Sequence, residues 1–524
     1  MELKLSLPTY PPLPKADVET RPKQVQEWLD ALPMANSQEA GRKLVDAIAA
    51  TNSVKLGEEA RCALLELYRA TAIMLRPSLQ QLYESKSLPL SDKSQQVAAL
   101  QRELYGELAN GYKLALLDLS GRRANSSTSK LAPLALARVI ACLGGVLEIY
   151  YETYAPAPAA IWSELHRLYW YAAKQNLHNL AIAEGDHSTV NMAYAKVLLL
   201  ALADPYRLSQ SQLALANAYL SQYGQQALLQ ALGPTENKHG LFLVRLDGDK
   251  PPKALMHYQG VTDARTDIIL NSIPLARLLH QHIQALDAGQ TPAKLGLPAG
   301  ANPVAYREIL KRLIKQWGVA PKRTFKRAPC QANAQVCGGI SALHHMLSVG
   351  EIALPQDNQT LTVELSDTLH ATGSQLTFNC VRWVRVNESA GGVALAKNPG
   401  SYTKIKVGDI IGVETGASGA WGVALVRWMQ TDAEKRVELG AQMLAPQADA
   451  IAVKPVIAAA NALFQPALLL PEVAALQQSA CIVAARGSYQ PLREFEVRSL
   501  GLIHIVRAVH LLEQTDSLDV FTFD

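Results

Sequence analysis

The chain has 524 residues, of which 49% are hydrophobic and 18% are charged. This length exceeds one ordinary domain and suffices for roughly three domains, each with its own core. The composition is typical of a folded globular protein and excludes an intrinsically disordered one. A formal net charge of +4 is too small to indicate bulk attraction to nucleic-acid duplexes or anionic membranes. Any anion must therefore be bound by a local group of cations.

The N-terminal residues MELKLSLPTYPPLPK lack the basic start and apolar core of a signal peptide. The longest apolar run that we identify, AKVLLLALADPY, is cut short by Asp204 and Pro205, so no stretch is expected to reach the roughly 18 residues of a membrane span. We expect neither export nor insertion. The cysteines follow no disulfide framework, which predicts reduced thiols in the cytoplasm: Cys62, Cys142, Cys330, Cys337, Cys380 and Cys481.

Residues 1–232 are predicted to form an all-helical domain. In KLAPLALARVIACLGGVLEIYYETY and WSELHRLYWYAAKQNLHNLAIAE the apolar residues recur at steps of three and four, as on one face of a helix. Trp162, Leu165 and Tyr169 have the spacing of a tetratricopeptide-type helix, but no fixed-period repeat follows. We interpret this stripe as helix core, with a repeat-like scaffold that binds a partner protein as the alternative.

Residues 233–319 are predicted, from the same periodicity of apolar residues, to form a connecting segment with both strands and helices. HGLFLVRLDGDKPPKALMHYQG predicts a pair of strands, with Gly248 and Asp249 in the turn region. Helical patterns follow in DIILNSIPLARLLHQHIQAL and VAYREILKRLIKQW.

Short strands dominate residues 320–450, with Gly, Asn and Ser in the turns between them: QLTFNCVRWVRV, GGVALA, KVGDIIGVET, WGVALVRWMQ and RVELGAQML. This pattern predicts a small closed β-barrel. Residues 451–524 contain further strand-like runs, QSACIVAARG, REFEVRSL and LDVFTF, which either extend the barrel or form a second sheet. The fold class is therefore α+β and multidomain.

Two polar clusters accompany the predicted barrel. PKRTFKRAP places the cations Lys322, Arg323, Lys326 and Arg327 just before its first strand. Such a group is usually a solvated surface unless an anion is present. The second cluster, RVNESAGGVALA, lies between two strands, and by itself it is typical of a turn stabilised by Asn or Ser.

Together the clusters are more specific than either alone. Arg323-x-x-x-Arg327 ahead of a barrel, followed by Asn387-x-Ser389-x-x-Gly392 inside it, resembles the two-part signature of PilZ domains, which are receptors for cyclic di-GMP. The resemblance covers residues 320–450 and implies a six-stranded antiparallel barrel. With its helical N-terminal half, the whole chain also resembles the long atypical PilZ receptors that are linked to type IV pilus production and surface attachment.

The resemblance implies a role for each motif residue. Arg323 and Arg327 would bind phosphate oxygens and the Hoogsteen edges of guanine, which suit the planar fork of arginine. Asn387 and Ser389 would hydrogen-bond a guanine edge or a phosphate, and Gly392 would permit either a positive φ or a close backbone approach. Lys322 and Lys326 would add supporting charge.

The same resemblance implies that the ligand is cyclic di-GMP, without a cofactor, and that a protein of the type IV pilus machinery receives the signal. The protein would be cytoplasmic, with polar placement left open. One departure stands out, because Arg327 and Asn387 are 60 residues apart, which is longer than usual in the family. The excess predicts an insertion at about 338–374. The alternative hypothesis is a barrel that no longer binds nucleotide and serves as a protein-binding adaptor.

Enzyme and metal hypotheses have less support. The sequence contains no Gly-x-x-x-x-Gly-Lys loop, no Gly-x-Gly-x-x-Gly fingerprint after a strand and no Gly-x-Ser-x-Gly elbow. One region collects cysteines and histidines at spacings that match no common zinc motif, namely Cys330, Cys337, His344, His345 and Cys380. We expect a binding protein that is neither an enzyme nor a metalloprotein.

Overall fold

We describe the protein from a computed structural model. The structure describes residues 3–84, 87–120, 128–182, 189–298, 300, 302–319, 327–348, 361–363, 376–378, 380–389, 391–397, 403–414, 420–432, 434–457, 462–472, 479–499 and 501–524. The chain divides into two compact units. The first contains residues up to 322 except for two short segments, and the second contains residues 323–524 together with those segments, 87–89 and 206–209.

The first unit begins with the predicted helices. Their bounds are α1 (Pro22–Asp30), α2 (Ser37–Ser53), α3 (Glu58–Gln80), α4 (Asp92–Ser120), α5 (Thr128–Glu152), α6 (Ile161–Lys174), α7 (Val190–Leu202) and α8 (Gln210–Tyr223). Helix α4 packs against α2, α3 and α5. Trp162, Leu165 and Tyr169 are at most 5% exposed, and Tyr169 stacks on Tyr194 with ring centroids 4.3 Å apart. These side chains are therefore helix core.

Helix α5 corrects one expectation. Within the described residues, its segment Lys130–Glu152 is long and apolar enough to cross a membrane by length and composition, and 72% of that window is buried among other parts of the protein. Arg138 interrupts this run, so the run is not continuous in the sequence. That side chain is only 1% exposed, and its Nε and Nη2 atoms lie 2.9 Å from the two carboxylate oxygens of Glu66 on α3.

A second buried polar network lies at the end of α5. Arg76 contacts Glu148 and Glu152 at 2.8 Å each, and Tyr83 donates a 2.6 Å hydrogen bond to Glu152. Burial of Glu152 and the nearby charge of Glu148 raise the pKa of the Glu152 carboxyl, against the opposing effect of Arg76. One arginine thus contacts two carboxylates, and burial makes the Glu152 carboxyl easier to protonate than an exposed glutamate.

We expect Glu152→Gln to flatten part of the pH dependence of stability. A carboxyl whose pKa is higher in the folded than in the unfolded chain contributes stability below its unfolded pKa and loses it as pH rises through the folded pKa. Between pH 5 and pH 8 the melting temperature of the wild type should therefore fall relative to that of the variant. Glu103→Gln, at an exposed ion pair with Arg42, is the control. Parallel profiles for wild type and Glu152→Gln would contradict the assignment.

The mixed segment completes the first unit with a four-stranded antiparallel sheet in the order β1-β4-β2-β3. The strands are β1 (Leu228–Ala231), β2 (Leu241–Arg245), β3 (Lys253–Ala254) and β4 (Asp267–Asn271), and the following helices are α9 (Ile273–Asp287) and α10 (Pro303–Ile314). The predicted pairing of β2 with β3 is present. The helix predicted from residue 267 was wrong in its first turn, because the apolar run Ile268–Leu270 is a strand between β1 and β2.

The second unit contains the predicted six-stranded antiparallel barrel, closed in the order β10-β11-β12-β9-β8-β5. Its strands are β5 (Ala328–Gly338), β8 (Cys380–Ser389), β9 (Gly392–Lys397), β10 (Ile410–Glu414), β11 (Trp421–Thr431) and β12 (Val437–Ala445). Leu395, Leu439 and Met429 are opposite one another on three adjacent strands and are fully buried. The apolar side chains at alternate positions of these strands thus point inward and fill the barrel interior.

The C-terminal strands form a second closed barrel, in the order β13-β14-β15-β18-β17-β16. Its strands are β13 (Asp449–Pro455), β14 (Gln465–Leu470), β15 (Cys481–Ala485), β16 (Glu494–Ser499), β17 (Leu502–Gln514) and β18 (Leu518–Phe523). Phe495 and Phe521 stack in its core with ring centroids 5.7 Å apart. The sequence left open whether these strands extend the first barrel or form a second sheet. They form a separate, closed sheet.

The described part of the predicted insertion contains helix α11 (Ile340–Ser348) and strand β6 (Leu361–Val363), which pairs with β7 (Leu376–Phe378) just beyond the insertion. Helix α11 packs against β5 and β10 of the first barrel and against β13 and β14 of the second. One hydrophobic cluster joins Leu343 of this helix to Leu425 of the first barrel and Leu468 of the second. The two barrels therefore share a continuous core.

Candidate PilZ-type ligand site

The pairing of β5 with β8 brings the described residues of the two polar clusters together. Ala328 is opposite Glu388 and Pro329 is opposite Asn387. Arg327 is exposed and immediately precedes β5, so continuation of this register places it opposite Ser389. Residues 60 positions apart in the sequence are thus neighbours at one end of the first barrel.

The same register places these side chains on the outer face of the barrel. Asn387 is opposite Ala394, and Ala394 is opposite Gly440, whereas the next residue of β9, Leu395, points into the core. Because side chains alternate between the faces of a sheet, Asn387 and Ser389 share the outward face. Arg327 belongs to this face by the same alternation.

Asn387 and Ser389 lie on β8 itself, which corrects the expectation that they occupy a loop. Strand β8 continues to Ser389 because a register shift between Arg385 and Asn387 lets it follow β9 to the end. Ser389 Oγ donates a 3.3 Å hydrogen bond to the carbonyl oxygen of Gly392. Both polar side chains are therefore held by the sheet, which orients them more firmly than a free loop would.

Gly392 is required for a close approach of two backbones. A Cβ atom at this position would lie 2.4 Å from the carbonyl oxygen of Ala441 on β12, a separation that real Cβ atoms do not reach. Gly392 is absent from the glycines with positive φ. Of the two roles offered by the sequence analysis, the structure supports close approach.

We expect Gly392→Ala to destabilise the first barrel by about 1–3 kcal/mol, since the clash is with backbone and strands β9 and β12 must separate to accommodate it. Thermal melting of the purified variant would measure this. Gly106→Ala on α4 is a matched control, because nothing lies within 4 Å of its added Cβ and alanine favours the helix. An unchanged melting temperature for Gly392→Ala would disprove the packing argument.

Arg385, two residues before the motif, and Glu388, within it, had no sequence signal of their own. Arg385 Nη1 lies 3.3 Å from Glu388 Oε2, so the carboxylate inside the motif is paired with a cation. The Arg385 Nε atom is buried and has no hydrogen-bond partner within the described part of the chain. Arg385 is opposite Leu395, so the same alternation places it on the inner row of β8 and not on the outward face that carries Asn387 and Ser389. Its pairing with Glu388 is visible only in three dimensions.

Trp428 is a second neighbour that the sequence did not indicate. It is opposite Gly440 on the outer row that includes Asn387, and an added Cβ on Gly440 would lie 1.9 Å from its indole nitrogen. The indole therefore covers the glycine, three strands from Asn387. At about 5 Å per strand, the indole lies roughly 15 Å from Asn387 across the outward face.

Three residues of the predicted site, Arg323, Lys322 and Lys326, lie outside the described residues. The structure therefore brings together Arg327, Asn387, Ser389 and Gly392 only, and the contribution of the other three cations stays a prediction.

Comparison with protein families gives three consecutive matches along the chain. Residues 23–235 match the N-terminal domain of the cyclic-di-GMP receptor FimW, residues 241–356 and 350–450 match its middle PilZ domain, and residues 451–524 match its C-terminal β-barrel domain. The chain belongs to the FimW family. This confirms the predicted membership of the long PilZ proteins with a helical N-terminal half.

A curated relative supports the FimW assignment over nearly the whole length. The chain is 25% identical to the protein named cyclic-di-GMP receptor FimW of Pseudomonas aeruginosa PAO1, over an alignment that covers 94% of this chain and 88% of the relative. No solved structure shows significant similarity to the chain. Like the family, this FimW-type chain combines a helical region, a PilZ barrel and a C-terminal barrel in that order.

Proposed function

We propose that this protein is a cyclic di-GMP receptor that binds the dinucleotide on the outer face of its first barrel. The observation that carries the proposal is the β5–β8 register, which pairs Pro329 with Asn387 and, continued by two residues, places Arg327 opposite Ser389 on the same face. Arginine and short polar side chains on a rigid sheet suit the phosphates and guanine edges of this ligand. The name of the Pseudomonas aeruginosa relative supports the choice of nucleotide.

The proposed complex requires no catalysis. Arg323 and Arg327 bind phosphate and the Hoogsteen edge of guanine, while Asn387 and Ser389 hydrogen-bond a base edge or a phosphate. Lys322 and Lys326 add charge that favours the anion. The face of Trp428 can stack on a base.

The proposed output is a change in protein binding. A ligand shifts a conformational equilibrium only by its difference in affinity for the two states, so nucleotide binding must favour one arrangement of a surface that a partner contacts. We propose a partner in type IV pilus or surface-attachment control and a cytoplasmic site of action, on the basis of the family resemblance. The division at residues 232, 319 and 450 remains our proposal for the domains.

Isothermal titration of cyclic di-GMP into the purified full-length protein tests the function, with GTP and cyclic di-AMP as controls. We expect selective binding that weakens as salt concentration rises, since charged contacts to phosphate dominate. Absence of heat and of a thermal shift with every nucleotide, for protein shown to be folded, would disprove the receptor function and leave the alternative of a PilZ-shaped adaptor.

A further inference from the structure

Two cysteines of the first barrel are directly opposite each other on neighbouring antiparallel strands. Cys337, near the end of β5, pairs with Cys380, the first residue of β8. Both are unbridged, and they are 0% and 4% exposed. Opposed residues of antiparallel strands have Cα atoms about 4.5–5.5 Å apart, which lies within the range of roughly 4.4–6.8 Å that a disulfide requires.

The two thiols also contact each other. A hydrogen bond between the side chains raises the pKa of Cys337 and lowers the pKa of Cys380, as expected when the S–H of Cys337 donates to the sulfur of Cys380. Since the thiolate is the reactive form of cysteine, Cys380 is the nucleophile of the pair. Its position at the start of a strand favours reaction, because strand ends open locally at lower free energy than strand centres.

We propose that Cys337 and Cys380 are a redox modification site that forms a reversible disulfide on exposure to peroxide. The sulfur of Cys380 attacks one oxygen of hydrogen peroxide and the O–O bond breaks, which gives a sulfenic acid and one water. The sulfur of Cys337 then attacks the sulfur of Cys380, so that the S–S bond forms, the S–O bond breaks and a second water leaves. Peroxide is reduced by two electrons, and the thiols supply both protons.

The disulfide would fasten the end of β5 to the start of β8 and close a loop, since 42 residues lie between the two cysteines. Helix α11, which packs on both barrels, begins three residues after Cys337. Cross-linking at this point removes conformational freedom from the unfolded chain. The oxidised protein should therefore be the more stable form.

The test is peroxide treatment of the reduced full-length protein, followed by alkylation of the remaining thiols in denaturant and mass spectrometry. We expect wild type to lose two of its six alkylatable cysteines and to give a cross-linked peptide pair containing residues 337 and 380. The melting temperature should rise by roughly 5 °C, and dithiothreitol should reverse both changes.

Variants identify the pair. Cys337→Ala and Cys380→Ala should each abolish the cross-link, whereas Cys330→Ala, on the same strand, and Cys481→Ala, in the shared core, should leave it intact. Six alkylated cysteines in oxidised wild type, a bridge to Cys330 or Cys481, or sulfonic acid at Cys380 without a cross-link would each overturn the proposal. Peptide mapping of wild type decides the question even where an alanine variant fails to fold.

Discussion

Arg327→Ala is expected to weaken cyclic di-GMP binding by about tenfold or more. A hydrogen bond to a charged group contributes roughly 1.5–3 kcal/mol, and every 1.4 kcal/mol changes affinity about tenfold. Arg327 is exposed and precedes the strand that pairs with Asn387, so its removal costs ligand contacts without leaving a cavity in the core. Titration calorimetry of the variant with cyclic di-GMP measures the loss.

Arg323→Ala should cause a comparable loss on the motif match, and the double variant should bind too weakly to titrate. Asn387→Ala and Ser389→Ala should cost less per residue, because they remove uncharged contacts. Arg382→Ala is the matched control for net charge, since Arg382 is an exposed arginine elsewhere on β8. Wild-type affinity in both Arg323→Ala and Arg327→Ala would eliminate this site, and melting temperatures without ligand should barely change.

Glu66→Ala is expected to destabilise the helical region strongly. It removes the carboxylate that both Nε and Nη2 of Arg138 contact at 2.9 Å, and the Arg138 side chain is 1% exposed. Removal of one partner of a buried ion pair typically costs about 3–5 kcal/mol, because the buried guanidinium loses the carboxylate that compensated its desolvation. Denaturant unfolding of the purified variant would show this as a lower midpoint.

Two comparisons separate the ion pair from general damage. Glu39→Ala removes a carboxylate from an exposed pair with Lys43 and should change stability by less than about 1 kcal/mol. The double variant Glu66→Leu/Arg138→Met should recover part of the loss, since the buried guanidinium is removed together with the carboxylate that it contacts. A double variant that is less stable than Glu66→Ala would show that the network stabilises the fold through other contacts.

The sequence was most informative where local pattern and final environment agree. Strands β9, β11 and β12 were predictable because each has an alternating or continuous run of apolar residues, as expected for strands of a closed barrel. The closure of the second barrel was not, since it depends on pairing of β13 with β16, two segments that are distant in the sequence. The partnership of Glu66 and Arg138, 72 residues apart, is equally invisible to local patterns.

The candidate site shows the same division. The two motifs pointed to Arg327, Asn387 and Ser389 through family resemblance, but their placement on one outward face follows only from the strand register. Gly392 was singled out with two possible structural reasons, and the position of Ala441 on a third strand favours the close backbone approach. No sequence motif marks Trp428, because it covers Gly440 and the two residues become neighbours only when β11 pairs with β12.

The core shared by the two barrels has a practical consequence for experiments on separate domains. Leu343 of α11 and Leu425 of the first barrel form one cluster with Leu468 of the second barrel. A fragment that ends at residue 450 would expose to solvent the apolar side chains that the second barrel normally covers. Aggregation of such a fragment could be mistaken for a loss of ligand binding. The smallest fragment suited to nucleotide titration therefore retains both barrels through residue 524, and a point variant is a safer probe of the second barrel than its deletion.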